Sequence, residues 1–233
     1  MSMLQSKPPV ASQTFKVLAH LLSYPDAAIR AHLGEMRDAL HAEAALSASR
    51  LAELDALIAA LQRLDPLDNE SAYVELFDRG RSTSLHLFEH VHGDSRDRGP
   101  AMIDLAQTYE KAGLYLSPDE LPDYLPVVLQ FVSTQPARQA REFLAEMAHI
   151  LNALFNALQQ RGTLYAGVLG ALLELAGEKA QAVKIPAETP LDESWEEPVA
   201  FDGCSVQGQA RAGQPQPIHI VKKNPTTSAG AMQ

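Results

Sequence analysis

The densest chemistry in the sequence lies between Asp78 and Arg98, where eleven of 21 residues are ionisable: four Arg, four Asp or Glu, and three His. Within it, His86-Leu87-Phe88-Glu89-His90 has the spacing H-x-x-E-H. On one helix that spacing offers two imidazoles to a zinc ion and sets a carboxylate near enough to act on a bound water. A single five-residue match is a weak signal, and the third ligand has no marked position; Glu142, Glu146 and Glu174 qualify only as carboxylates elsewhere in the chain. The competing reading is structural. The charges of the segment cancel, so Arg79, Arg81, Arg96 and Arg98 can pair with Asp78, Glu89, Asp94 and Asp97 in a salt-bridged corner.

Other catalytic templates are missing. There is no phosphate-cradling glycine loop and no G-x-S-x-G nucleophile elbow. One cysteine, Cys204, excludes an internal disulfide or a C-x-x-C pair, and it sits in a Pro- and Gly-rich stretch without the fixed base a nucleophile needs. His20, His32, His41 and His149 occur singly in helical stretches and read as boundary or surface residues. No catalytic residue, cofactor or metal ligand is therefore assigned.

The elements that must position the polar segment are helices. Leu and Ala supply 67 of 233 residues against 19 for Ile and Val, a bias toward helix formers and away from the β-branched residues of sheets. The expected class is all-α. Phe15, Leu18, Leu21 and Leu22 share a face from Thr14 onward, and after Tyr24-Pro25-Asp26 a second helix carries Ile29, Leu33, Met36 and Leu40. A third runs from Leu51 through Leu54, Leu57, Ile58 and Leu61 until Asp65-Pro66 breaks it. A short helix over 69–77 presents Tyr73, Leu76 and Phe77, and another with Met102, Leu105 and Tyr109 stops at Gly113.

Ser117-Pro118-Asp119-Glu120 reads as a capping box, limited by Pro122 to one turn before a helix that starts near Asp123 and carries Tyr124, Leu125, Val128 and Phe131. Phe143, Leu144, Met147, Ile150, Leu151, Leu154, Phe155 and Leu158 form one stripe ending at Gly162, and Leu164 to Leu175 form the next. Both are expected at the centre. The organisation read from this pattern is a flexible lead at 1–13, a helical domain at 14–183 and a mostly disordered tail at 184–233. The tail holds one Leu and six of the 15 prolines, with Trp195 and Phe201 as possible docking points.

The balance of 19 Lys and Arg against 29 Asp and Glu, a net −10, disfavours nucleic acid and favours a basic peptide as partner. The first residues lack the apolar core of a signal peptide, and no run approaches the roughly 20 apolar residues of a membrane span. Neither export nor direct membrane insertion is expected, and the cytoplasm is the default location.

Tyr73-Val74-Glu75-Leu76-Phe77-Asp78-Arg79-Gly80-Arg81, followed by Leu87-Phe88-Glu89-His90-Val91-His92-Gly93-Asp94-Ser95-Arg96-Asp97-Arg98-Gly99, resembles the signature of the NarJ family of respiratory nitrate reductase assembly chaperones. Leu64-Asp65-Pro66-Leu67-Asp68 before it and Glu120-Leu121-Pro122-Asp123-Tyr124-Leu125-Pro126 after it agree, and a looser likeness runs from about Phe15 into Trp195-Glu196-Glu197. Two departures stand out. The wider family commonly has His where this chain has Tyr124, and its pattern does not require His86, which removes the first ligand of the zinc reading.

The resemblance implies an all-helical, non-enzymatic redox-enzyme maturation chaperone. Such a protein binds the nitrate reductase catalytic subunit, notably its N-terminal peptide, and holds back membrane docking until the molybdenum cofactor is inserted. It further implies a peptide-binding groove lined by Tyr73, Leu76 and Phe77, a contribution from Glu89, His90, His92, Arg96 and Asp97, and a rim of Leu121, Pro122, Asp123, Tyr124 and Leu125. From the residues alone, Tyr73, Leu76 and Phe77 serve equally as core, and Asp123 equally as an N-cap. The alternatives are a generic helical peptide-binding adaptor and a zinc hydrolase using His86, Glu89 and His90.

Overall fold

A computed structural model of the chain describes residues 10–93, 95–118 and 120–182. The expected tail at 184–233, with Trp195, Phe201 and Cys204, lies outside the described residues, as does the start of the expected lead.

The described residues form eleven α-helices: α1 (Ser12–Leu21), α2 (Ala27–Ala31), α3 (Leu33–Glu43), α4 (Ala48–Arg63), α5 (Pro66–Phe77), α6 (Leu87–Val91), α7 (Arg98–Lys111), α8 (Leu125–Thr134), α9 (Ala137–Glu146), α10 (Ala148–Gln160) and α11 (Ala166–Ala176). A 3-10 turn, Arg81–Thr83, follows α5. Two helices sit inside the others. In α11 every residue except Glu174 is buried, and in α8 every residue except Gln130 and Thr134. A helix apolar on all sides has no stable position but the centre. The remaining helices bring one apolar face each: α1 packs on α8, and α4, α9 and α10 pack on α11. Leu18, Leu54, Leu125, Leu144, Leu151, Leu154 and Leu169 are fully buried in this shared core.

Polar caps lock the layers together. Glu43, at the end of α3, accepts the Gln13 and Thr14 amides at 3.1 and 2.6 Å, so α1 has its first turn capped by another helix. Asn152 and Asn156, one turn apart on α10, both donate to the Gln181 carbonyl, at 3.0 and 2.8 Å, and Asn152 Oδ1 accepts the Gln181 amide at 2.8 Å. These bonds tie the chain beyond α11 back onto α10.

Several expected boundaries shift for identifiable reasons. The helix expected through Ile29 and Leu40 is two, parted at His32, with Asp26 capping the first by accepting the Ile29 amide at 2.8 Å. The single stripe from Phe143 to Leu158 is also two helices. Met147, at φ −93° and ψ 2°, leaves the helical region and re-aims α10, so that α9 and α10 both reach α11. The short helix expected at 69–77 begins at Pro66, because Asp65 caps the Leu67 amide at 2.9 Å and proline's missing N–H costs nothing in a first turn. Ser117 and Glu120 make half of a capping box, the Ser117 amide donating to Glu120 Oε2 at 3.1 Å, with no helix following.

Candidate functional site

The site expected from the signature is assembled around α5, the 85–92 loop with α6, and the 121–125 turn. Tyr73 and Phe77 fall on the face of α5 that the helix buries, at 4 and 5% exposure. Their rings lie 4.8 Å apart, and Tyr165 at the head of α11 meets them edge-on at 6.3 and 5.1 Å. Leu76 packs half-buried on the same core. Tyr73 and Phe77 therefore do not line an open groove; with Tyr165 they form an aromatic joint between α5 and α11. Spacing identified them as a stripe but could not say which side of α5 faces inward.

The joint is closed by hydroxyls. Tyr73 Oη donates to the Leu22 carbonyl at 2.7 Å and lies 3.2 Å from Tyr124 Oη. Burial, first, and the bond to Tyr124 push the Tyr73 phenol far above its ordinary value, so it stays a donor. Burial likewise raises Tyr124, Tyr109 and Tyr165.

Beside the joint, the two signature loops pair. The Leu125 amide donates to the Leu85 carbonyl at 2.9 Å and the Leu87 amide to the Asp123 carbonyl at 3.0 Å, forming an isolated antiparallel bridge between His86 and Tyr124. The His86 and Tyr124 rings stack at 5.2 Å. Asp123 is fully buried here. Its Oδ2 accepts the Phe88 amide at 3.2 Å, its Oδ1 lies 3.3 Å from His86 Nδ1, and Arg98 Nη2 stands 3.7 Å away. Of the two readings of Asp123, groove rim or N-cap of the helix following it, the N-cap is corrected. Tyr124 occupies the N-cap position of α8, while Asp123 caps the first turn of α6 from across the bridge.

The hydrogen bond to Asp123 is the main reason the His86 imidazole is held above its ordinary pKa. Burial opposes the shift, the charges of Asp123 and Glu89 add to it, and Arg98 subtracts.

The zinc reading fails on the same geometry. His86 is engaged with Asp123, Glu89 with Arg98 at 3.4 Å, and His90 Nε2 donates to the Ser84 carbonyl at 2.8 Å, so the three side chains serve three different partners. The expected salt-bridged corner is partly corrected. Arg98 does pair with Glu89, but Arg79 pairs with Glu75 one turn back on α5 at 2.9 Å, and Arg96 is exposed without an ion-pair partner among the described residues. Gly80 begins this corner because a Cβ there would lie 2.5 Å from Arg161 Nη2 and 2.8 Å from Thr83 Oγ1, the hydroxyl that anchors the turn to the Leu76 carbonyl.

The remaining candidates separate. Pro122 is buried, with its carbonyl accepting Tyr109 Oη at 2.8 Å, and Leu125 is fully buried. His92 is half-buried, edge-on to Phe88 at 5.5 Å. Arg96, Asp97 and Leu121 are exposed, Asp97 accepting Ser95 Oγ at 3.3 Å.

Sequence reasoning missed the outer face of α5. A hollow of about 300 Å³ is lined there by Tyr24, Leu67, Glu70, Ser71, Val74, Glu75 and Arg79. It shares Glu70 with a neighbouring hollow of about 370 Å³ among Arg30, Leu33, Gln62 and Pro66. Only Tyr24-Pro25, read as a breaker, hinted at it.

The bundle of helices packed around α8 and α11 is a fold shared with a solved protein of the redox-enzyme maturation class. A crystal structure of a candidate redox enzyme maturation protein from Archaeoglobus fulgidus superposes on 76% of this chain and all of its own, at a TM-score of 0.54 and 19% identity. Residues 26–170 match the nitrate reductase delta subunit family, and the chain belongs to that family. It is 43% identical over 196 residues, 84% of this chain and 83% of the other, to the nitrate reductase molybdenum cofactor assembly chaperone NarJ of Escherichia coli strain K12. It is 32% identical over 160 residues, 69% of this chain and 86% of the other, to the candidate for the same chaperone in Bacillus subtilis strain 168.

Proposed function

We propose that this protein is a system-specific chaperone of nitrate reductase. It binds the catalytic subunit, including its N-terminal peptide, in the cytoplasm and keeps it from the membrane until the molybdenum cofactor is in place. The observation that carries this reading is the likeness to the Escherichia coli chaperone over 84% of the chain, which spans both interlocked loops. The protein acts by binding and release, with no chemical step. The side chains the zinc reading needs are committed to holding α6 and the loop bridge. Among the described residues no helix is long and apolar enough to cross a membrane, which agrees with a protein that visits the membrane through its client.

Physically, the net charge of −10 steers a basic segment toward the surface, and apolar contact then supplies the residence time. The test is complementation. Cells lacking their own chaperone and expressing this chain regain nitrate reductase activity and molybdenum content in the catalytic subunit, and the subunit co-purifies with the chain before cofactor insertion. An inactive, cofactor-free reductase in cells that accumulate the folded chain overturns the reading.

A further inference from the structure

With Tyr73 and Phe77 buried, the helix that carries them has one face left, and that face is not plain surface. Tyr24 is 43% exposed beside it, held edge-on to Tyr73 at 5.7 Å, with its hydroxyl donating to Glu70 Oε2 at 2.9 Å. Leu67 is 68% exposed, and Ser71 and Val74 continue the same floor along α5. Leu64 is 49% exposed just before the helix, and its carbonyl accepts Arg30 Nη2 at 3.2 Å, at the neighbouring hollow. Three of the large apolar side chains that the described chain leaves in water thus stand along one helix.

The charge around this floor is mostly negative. α5 and its two caps carry Asp65, Asp68, Glu70, Glu75 and Asp78 and no base. The nearest cations are Arg79, paired with Glu75, and Arg30, engaged with the Leu64 carbonyl. Asp26 and Asp78 act together with Glu70 on the Tyr24 phenol and raise it, the hydrogen bond to Glu70 leading. An aromatic ring among carboxylates above an apolar floor suits a Lys or Arg, whose stem lies on aliphatic carbon while its head sits over the ring.

We propose that the outer face of α5 is the docking groove for a cationic amphipathic helical segment of the client, with a Lys or Arg head at Tyr24 and Glu70 and apolar side chains on Leu67 and Val74. This rests on the chaperone reading and moves the docking surface from the buried signature aromatics to the exposed face of α5 beside them, where Tyr24 meets Tyr73. Charge complementarity selects this occupant over a second copy of a chain that is itself acidic.

The experiment is fluorescence anisotropy with a labelled synthetic peptide of the nitrate reductase catalytic subunit's N-terminus, at two salt concentrations. It uses the full chain as wild type, Leu67→Lys, Ser71→Arg, Glu70→Gln and, as a control on the other exposed rim, Leu121→Lys. Leu67→Lys and Ser71→Arg each place a cation on the exposed floor and raise Kd by about tenfold or more, while Leu121→Lys changes it by less than about twofold. Glu70→Gln weakens binding at low salt and flattens its salt dependence. Circular dichroism confirms that each variant is folded. Wild-type binding left unchanged by both Leu67→Lys and Ser71→Arg overturns the groove alone, most directly if Leu121→Lys abolishes it. A dimer that Leu67→Lys dissociates, with peptide affinity unaltered, overturns it in favour of self-association. No binding by the wild type overturns the chaperone reading and the groove together.

Discussion

Asp123 accepts the Phe88 amide at 3.2 Å across 35 residues of sequence, so the cap of α6 is supplied by the turn that leads into α8. The two signature loops are thereby one structural unit. Neither holds its conformation without the other, because α6 is only five residues long and its own N-cap residue, His86, makes no side-chain cap bond. A helix of that length has no independent stability, and the buried carboxylate supplies what the local sequence does not.

Removing that carboxylate leaves the Phe88 amide without its acceptor and takes the buried partner from His86 and Arg98. Asp123→Ala should cost about 3 kcal/mol or more, in the range for breaking a buried, hydrogen-bonded charge pair from one side. Urea denaturation of the wild type, Asp123→Ala and Asp123→Asn checks this. Asp123→Asn, which keeps one acceptor for the Phe88 amide, should lie between the other two.

His86 makes the same unit pH-sensitive, with a definite sign. Its imidazole is raised above its ordinary value in the folded protein, chiefly by the hydrogen bond to Asp123. The stabilisation is therefore fully present below the unfolded value of about 6.5 and is lost as pH rises through the higher folded value. Melting curves of the wild type and His86→Gln from pH 5 to 9, a range of about four units around that value, should show the advantage of the wild type largest at the acidic end and gone at the alkaline end. A gap that widens with pH would reverse the assignment.

The aromatic joint separates packing from binding. Phe77→Ala opens a cavity beneath Tyr73 and Tyr165 and should destabilise by about 3–5 kcal/mol. Tyr73→Phe keeps the rings and strands the Leu22 carbonyl, for about 1 kcal/mol. Chemical denaturation measures both. If Phe77→Ala were as stable as the wild type but no longer bound peptide, the side chain would belong to a surface and the inward orientation would be wrong.

Asn152 and Asn156 make a third testable joint. Asn152→Ala removes two of the three hydrogen bonds that hold Gln181. Hydrogen exchange at the Gln181 amide should then accelerate by about tenfold, equivalent to about 1.4 kcal/mol, while amides in α11 keep their protection. Equal acceleration in both places would mean that the Gln181 attachment supports the whole central helix.

The sequence alone determined the class, the helices apart from two breaks and the five-residue α6, and the polar corner with its family. Leu and Ala at helical spacing admit few other structures, and the run from Tyr73 to Gly99 is long enough to be distinctive. It determined much less about the site. Tyr73 and Leu67 stand six residues apart on one helix, each in an apolar environment by pattern, yet one is 4% exposed and the other 68%. Periodicity ranks residues by face; it does not say which face a neighbouring helix will cover, since that depends on where α11 presents Tyr165. The roles of Asp123 and His86 were hidden for the same reason. A capping bond between residues 35 apart carries no local signature, and only the tertiary meeting of the two loops turned Asp123, read as groove rim or local N-cap, into a buried carboxylate that the fold depends on.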